Sequence, residues 1–125
     1  MPFQINHSTD VNAVEQVAGA WRRTLADGER MMVIEWTMGA GVTVPMHQHP
    51  HEQCGYVVSG EMLFTVEGAE RAITAGMGYL VTGNTPHGAR FNVPTVIVDV
   101  FSPPREDYRN TTSNAPSYMT GTMKA

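Results

Sequence analysis

Residues 41 to 53 read Gly41-Val42-Thr43-Val44-Pro45-Met46-His47-Gln48-His49-Pro50-His51-Glu52-Gln53. Residues two apart on a β-strand point to the same side of the strand, so the imidazoles of His47 and His49 can converge on one point. Gln53 follows four residues later, past the bend at Pro50, and its side chain can return to that side. His51 has the parity of His49, but Pro50 breaks the register, and we expect His51 to lie outside the ligand set.

A further ligand must come from a distant part of the chain, and His87 in Thr85-Pro86-His87 is the candidate. Neutral imidazole binds divalent transition metals through one ring nitrogen. A single histidine would be interpreted as a surface loop residue, but three within five residues, with another after a later proline, indicate a metal site. We therefore predict one divalent transition metal (Zn, Ni, Mn or Fe) on His47, His49, Gln53 and His87.

Around this segment the chain consists of short apolar runs separated by glycine- and asparagine-rich turns. The runs are residues 31–37, 42–44, 56–58, 62–66, 72–73, 79–81 and 96–101. Many short strands at close spacing are typical of an all-β barrel or sandwich. The Ser102-Pro103-Pro104 sequence ends the last strand, because proline cannot donate to a strand ladder.

We expect three segments in one small domain. Residues 1–30 form an N-terminal arm or short covering segment, residues 31–108 form the barrel, and residues 109–125 form a C-terminal tail. Residues 11–20 are the only helix-like stretch, and Asp10 could cap it. Gly19 and three valines make a helix marginal there, so a covering arm is an equally open interpretation.

Composition excludes several classes of partner. The chain of 125 residues has a net charge of -4 and a single lysine, so it has no basic stripe for nucleic acid or an anionic membrane. One cysteine cannot form an internal disulfide, which favours a reducing compartment. No signal peptide and no apolar run of about 20 residues is evident, so we expect a cytoplasmic protein.

The strand Thr95-Val96-Ile97-Val98-Asp99-Val100-Phe101 has two different faces. Composition alone would send its three valines inward and leave Asp99 in solvent, and the residues by themselves leave the two orientations equally open. If Asp99 faces inward, the barrel would combine a metal, a carboxylate base, an aromatic wall at Phe101 and the guanidinium of Arg105. That combination suits an acidic small molecule undergoing proton transfer. A barrel with an all-valine strand face also favours a homodimer.

The spacing of these residues resembles the two cupin motifs. Gly41, His47, His49, Gln53 and Gly60 occupy the positions of the first motif, and residues 76–87 are similar to the second. The resemblance implies a double-stranded β-helix, the jelly-roll barrel of cupins. Two positions depart from the family pattern: Gln53 replaces the usual glutamate, and Thr82 replaces the usual proline.

A narrower resemblance, to the KdgF-type pectin-degradation cupins, rests on three stretches of sequence. They are His49-Pro50-His51-Glu52-Gln53, Tyr56-Val57-Val58-Ser59-Gly60-Glu61 and Asp99-Val100-Phe101-Ser102-Pro103-Pro104-Arg105-Glu106-Asp107-Tyr108. Those proteins convert unsaturated uronates into a linear keto form. The resemblance implies that His47, His49, Gln53 and His87 bind the metal. It also implies that Asp99, Phe101 and Arg105 act on the sugar acid.

Two other functions remain open at this stage: a metal-dependent dioxygenase and a non-catalytic ligand-binding cupin. A neutral glutamine ligand favours polarisation of a carbonyl or hydroxyl over oxygen activation, because it departs from the two-histidine, one-carboxylate pattern. Arg22, Arg23 and Arg90 are expected to be ordinary solvated arginines, although each could face an anion. Cys54, with parity opposite to Gln53, is expected to be a buried structural thiol.

Overall fold

The computed structural model describes residues 2–109, and within them nearly all regular structure is β-strand. Ten strands follow in chain order: β1 (Val14–Val17), β2 (Ala20–Asp27), β3 (Met32–Met38), β4 (Thr43–His47), β5 (Glu52–Ser59), β6 (Glu61–Val66), β7 (Ala69–Thr74), β8 (Gly78–Val81), β9 (His87–Arg90) and β10 (Thr95–Ser102). Two 3-10 turns, Ser8–Asp10 and Glu106–Tyr108, lie at either end. Apart from Arg109, the expected C-terminal tail lies outside the described residues.

The strands form two antiparallel sheets that face each other. The larger sheet has the order β1-β2-β3-β10-β5-β8, and the smaller has the order β4-β9-β6-β7. Three connections, β1 to β2, β2 to β3 and β6 to β7, are hairpins within one sheet, and every other connection crosses to the opposite sheet. This arrangement is a double-stranded β-helix, and it confirms the predicted all-β jelly-roll fold. Among the described residues, no helix is long and apolar enough to cross a membrane.

The core lies between the two sheets and follows the two-residue period of the strands. On β3 the alternate residues Met32, Ile34, Trp36 and Met38 are buried, and on β10 Ile97 is buried next to them. The smaller sheet contributes Met62, Phe64 and Ile73 as a second set of buried residues, and Phe91, directly after β9, joins them. Each fully buried side chain of this kind stabilises the fold by roughly 1.5–3 kcal/mol relative to exposure.

Residues 11–20 are extended, so the helix considered for this stretch is wrong. The residues of β1 pair with those of β2 across a turn at Gly19, whose φ of +82° is the left-handed conformation that glycine adopts most readily. β2 in turn pairs along its length with β3. The valines that weaken a helix here favour a strand, and the larger sheet gains two strands as a result.

Arg22 on β2 is buried, which corrects the expectation of a solvated side chain. Only 1% of its surface is exposed. Its Nε donates to Gln16 Oε1 at 2.9 Å, and its guanidinium also donates to the carbonyl of Tyr108 at 2.8 Å. Arg90 is exposed as expected, in an ion pair with Glu70. Arg22 therefore links the first hairpin to the turn that follows the last strand.

Two glycines with positive φ offer a matched test of how tightly the strands are joined. Gly60 has φ +85°, and a Cβ there would strike the Pro94 carbonyl and lie 2.8 Å from the Cα of Thr95. Gly68 has φ +74°, and a Cβ there would meet no described atom within 4 Å. The two positions share the cost of the backbone conformation and differ in the available space.

We expect Gly68→Ala to lower the free energy of unfolding by about 1 kcal/mol, the cost of the left-handed conformation alone. Gly60→Ala should lower it by roughly 2–4 kcal/mol, because the strand carrying Thr95 must also move. Urea denaturation of both variants measures the difference. Equal losses would contradict the close contact at Gly60.

Candidate metal centre

Three imidazoles meet inside the barrel at the edge of the smaller sheet. His47 ends β4 and His87 begins β9, and the two residues are direct partners across the antiparallel pair. His49 follows in the loop after β4. One ring nitrogen from each of the three lies within 4.8 Å of the others, a separation that allows all three to bind one ion. The two histidine-bearing stretches, 40 residues apart in sequence, are therefore joined by strand pairing.

Backbone carbonyls fix the tautomer of each ring. Nδ1 of His47 bonds to Pro45 O at 2.8 Å, Nδ1 of His49 bonds to His51 O at 3.1 Å, and Nδ1 of His87 bonds to Thr85 O at 2.7 Å. A carbonyl only accepts, so the proton resides on each Nδ1 and the Nε2 atoms present lone pairs. Histidine ligands of metals characteristically have such a second hydrogen bond. Within residues 2–109, His87 Nε2 is buried without any hydrogen-bond partner, which is the state of a ligand atom directed at an ion.

Burial keeps these rings neutral. It lowers the pKa of His47 to about 4 and that of His49 to about 3, and it also lowers the pKa of His87. The neighbouring imidazoles and Arg105 disfavour a proton further. Neutral imidazole is the form that binds a metal, so the site is ready to bind at physiological pH.

Gln53, at the start of β5, brings its amide oxygen to the same point. Its Oε1 lies 3.2 Å from His49 Nε2. Since the His49 proton is on Nδ1, two acceptors face each other, and a cation between them would turn that contact into an attraction. The donor set of three imidazole nitrogens and one carboxamide oxygen therefore fits a divalent transition metal. His51 lies outside this cluster and instead holds His49 through its carbonyl.

Asp99 faces the interior, and the three valines of β10 lie half-buried on the outer side of the sheet. Tyr79 donates its hydroxyl to Asp99 Oδ1, and Gln53 Nε2 donates to Asp99 Oδ2 at 3.2 Å. Burial raises the pKa of Asp99 to about 6, although hydrogen bonding by Tyr79, Gln53 and Trp36 acts to lower it. The residues alone left this orientation open, and the buried face carries the carboxylate.

Sequence reasoning missed Tyr79, which lies on β8 opposite Gly55 of β5. A Cβ on Gly55 would strike both the Tyr79 ring and the Asp99 carboxylate. A glycine inside an apolar strand often marks a close approach of this kind. Gly55 was therefore the one residue in the sequence that indicated a large side chain packed against β5.

Arg105 forms the far wall of the pocket. Its guanidinium lies 4.1 Å from the ring centre of Tyr108 and 5.5 Å from that of Phe101. It also pairs with Asp107 at 3.0 Å. The pocket holds about 570 Å³ of space including its open mouth, and its lining includes His47, Gln53, His87, Asp99, Phe101 and Arg105. The structure therefore brings the other predicted residues together around one pocket, and the ring centre of His49 lies 5.6 Å from that of His47 and 5.0 Å from that of His87.

Comparison with known proteins agrees with this geometry. A family model described as the cupin domain matches residues 34–101. The chain belongs to the cupin family. The pectin degradation protein KdgF of Dickeya dadantii is 30% identical over 95 residues, which cover 67% of this chain and 86% of that protein.

Two further relatives extend the comparison. The structure of KdgF from Halomonas sp. superimposes with a TM-score of 0.81 at 28% identity, covering 86% of this cupin and 99% of that chain. The H2HPP isomerase of Bacillus subtilis is 48% identical over 48 residues, which are 38% of this chain and 20% of that protein. The predicted resemblance to KdgF-type cupins is therefore confirmed.

Cys54 of this cupin is exposed on the outer face of the larger sheet, so the expectation of a buried thiol is wrong. The parity argument was correct, because Cys54 does point away from Gln53. The error was to assume that the outer side of β5 is covered by the rest of the chain.

The low pKa values of the ligand histidines determine how metal binding depends on pH. Protons compete for the rings of His47 and His49 only near their lowered pKa values of about 4 and about 3, so the steep loss of zinc affinity should come below about pH 4.5. Isothermal titration with zinc at several pH values measures this. Affinity that already declines near pH 6.5, the ordinary pKa of histidine, would contradict the burial argument.

Proposed function

We propose that this cupin opens the ring of a small unsaturated uronate and releases the linear keto acid. The observation that supports this most is the shared pocket, in which three of the four candidate ligands, the Asp99 carboxylate and the Arg105 guanidinium line one space. The likeness to two KdgF proteins, one of which is described as a pectin degradation protein, supports the same class of substrate. The alternatives are a metal-dependent dioxygenase and a binding protein without catalysis.

The proposed reaction is a hydration followed by a ring opening, with no net oxidation. Water adds across the enol-ether double bond, placing hydrogen on one carbon and hydroxyl on the carbon that bears the ring oxygen. The bond from that carbon to the ring oxygen then breaks. The new hydroxyl proton ends on the ring oxygen, and a ketone remains. The anomeric carbon is then a hydrated aldehyde, and its loss of one water returns the molecule that was added, so the net reaction is an isomerisation.

Each predicted residue has a role in this reaction. Arg105 binds the substrate carboxylate, which suits a guanidinium already oriented by aromatic rings. Asp99 moves the proton during hydration and opening. Phe101 forms the wall against the sugar. A divalent metal held by His47, His49, Gln53 and His87 would polarise sugar oxygens as a Lewis acid.

Removing the base should stop the reaction and spare the metal site. We expect Asp99→Asn to lower turnover of an unsaturated uronate by at least roughly 100-fold, the contribution of a positioned proton-transfer group. Metal content should remain that of the parent protein, because His47, His49 and His87 are untouched. Ultraviolet absorbance of the enol ether follows turnover, and elemental analysis follows the metal.

Glu52→Gln is the matched control. Glu52 is exposed at the start of β5 and neighbours Gln53, so the variant removes a carboxylate close to the site without entering the pocket. It should retain activity and metal. Retained activity in Asp99→Asn would refute the proposed base, and oxygen consumption with substrate would favour a dioxygenase. Tight binding of the uronate without conversion would favour a binding protein.

We also propose that the partner of this cupin is a second copy of itself, in the cytoplasm. The outer face of the larger sheet presents a continuous set of apolar side chains: Trp21, Val33, Tyr56, Val58, Leu80, Val96, Val98 and Val100. Arg23 and Glu35 are direct neighbours on this face. Within the described part of the chain, the buried Arg23 Nε has no hydrogen-bond partner. Two copies related by a two-fold axis would pair each arginine with the other glutamate and cover the valines.

A charge placed in the middle of this face should separate the copies. Val98→Glu is expected to convert a dimer into a monomer in light scattering after size exclusion, because a buried unpaired carboxylate is costly. Ala72→Glu on β7, exposed on the smaller sheet, adds the same charge away from the face and should leave the dimer intact. A monomeric parent protein would contradict the proposed interface.

A further inference from the structure

The two ends of the Gln53 side-chain amide make contacts of opposite kind: the oxygen lies where it can bind a cation, and the N–H donates to a carboxylate. Its Oε1 faces the unprotonated Nε2 of His49 at 3.2 Å, at the point where a cation fits. Its Nε2 faces Asp99 Oδ2, also at 3.2 Å. A carboxylate only accepts, so the end of Gln53 next to Asp99 must be the amide N–H. The orientation of this amide is therefore fixed from both sides.

A glutamate cannot make the same pair of contacts. It would direct a second carboxylate oxygen at Asp99 Oδ2 at hydrogen-bond distance, with no N–H between the two groups. Both residues are buried, Gln53 with 8% and Asp99 with 4% of their surfaces exposed, so water cannot screen the repulsion. The departure of residue 53 from the usual cupin glutamate therefore matches the presence of a buried carboxylate at residue 99.

Asp99 depends on this contact for its orientation. Tyr79 donates to Oδ1 from one side, and Gln53 donates to Oδ2 from the other. The carboxylate is thus held at both oxygens within the pocket. An amide whose oxygen binds a cation becomes a stronger N–H donor, since hydrogen bonds and coordination polarise one another along a chain.

We propose that Gln53 is a positioning residue for Asp99 as well as a metal ligand, and that residue 53 must be an amide because it joins the two. The metal and the proton-transferring carboxylate are then connected by a single side chain. The part of this inference that concerns turnover rests on the proposed function. The part that concerns the Gln53–Asp99 contact does not.

The test uses Gln53→Glu, Asp99→Asn and the double variant Q53E/D99N in the full-length protein, assayed at pH 8. In the metal-free protein, Q53E should lower the melting temperature by about 5 °C or more, because two buried carboxylates face each other. The double variant reverses the hydrogen bond, with the amide of residue 99 donating to the carboxylate of residue 53. Its melting temperature should recover most of that loss.

Zinc binding and kinetics separate positioning from ligation. Q53E should still bind zinc within about tenfold of the parent affinity, since a carboxylate is itself a good ligand. Its kcat on the uronate should fall by roughly 100-fold, with a much smaller change in KM, because the carboxylate at residue 99 is no longer held. The double variant should bind zinc and remain inactive, because it lacks the base.

Gln48→Glu is the control for charge. Gln48 lies between two histidine ligands and is exposed, so this variant adds the same negative charge near the metal without touching Asp99. It should resemble the parent in melting temperature and kcat. If Q53E melts and turns over like the parent, or if the double variant loses the sum of the two single losses, the proposal is wrong. A parent protein inactive on uronates would refute the proposed function, while the melting data would still decide the contact.

Discussion

The structure depends on three unprotonated imidazole nitrogens that lie close together inside the barrel. They are the Nε2 atoms of His47, His49 and His87. Each ring donates its Nδ1–H to a backbone carbonyl, so the lone pair of each Nε2 is left available for a positive partner. Burial makes protonation of these rings unfavourable, as the lowered pKa values of His47 and His49 indicate. A cation is the partner that remains. The barrel therefore holds a histidine cluster that is placed to bind a metal ion.

Strand pairing and side-chain alternation, which are ordinary features of a β-sheet, position the residues of this site. Strand pairing places His47 beside His87, and the two-residue period places Asp99 and Phe101 on the inner side of β10. The same pairing sets Gly55 opposite Asp99, where the absence of a Cβ leaves room for Tyr79. Backbone geometry alone thus brings the ligand cluster and the carboxylate to one pocket.

The rim of the pocket is held by contacts that span most of the chain. The guanidiniums of Arg22 and Arg105 both lie over the ring of Tyr108. Arg22 also binds the Tyr108 carbonyl, so the first hairpin and the turn after β10 hold each other in place. Two buried arginines stacked on one tyrosine keep this wall of the pocket rigid. That rigidity suits a residue assigned to bind a carboxylate, because little entropy is lost on binding.

Much of the site was available from the sequence because it depends on local spacing. His47, His49 and Gln53 lie within seven residues, and strand alternation predicts that they converge. The runs of apolar residues likewise predicted most strands. The first two strands were missed, because residues 11–20 are equally compatible with an arm until β1 pairs with β2 and β2 pairs with β3. The strand that begins at His87 was missed because it is only four residues long and holds no apolar run.

By itself the sequence determined the β-rich class, the histidines that cluster in the barrel and the resemblance to KdgF-type cupins, since each follows from residue identity and spacing. The tertiary structure alone decided which face of β10 is buried, because valines and Asp99 alternate and either face could have turned inward. It also decided that Arg22 is buried and that Cys54 is exposed, since both depend on which sheet face the rest of the chain covers. The contacts of Tyr79 and Gln53 with Asp99 are of the same kind: they join strands that pair across the fold, and no local pattern encodes them.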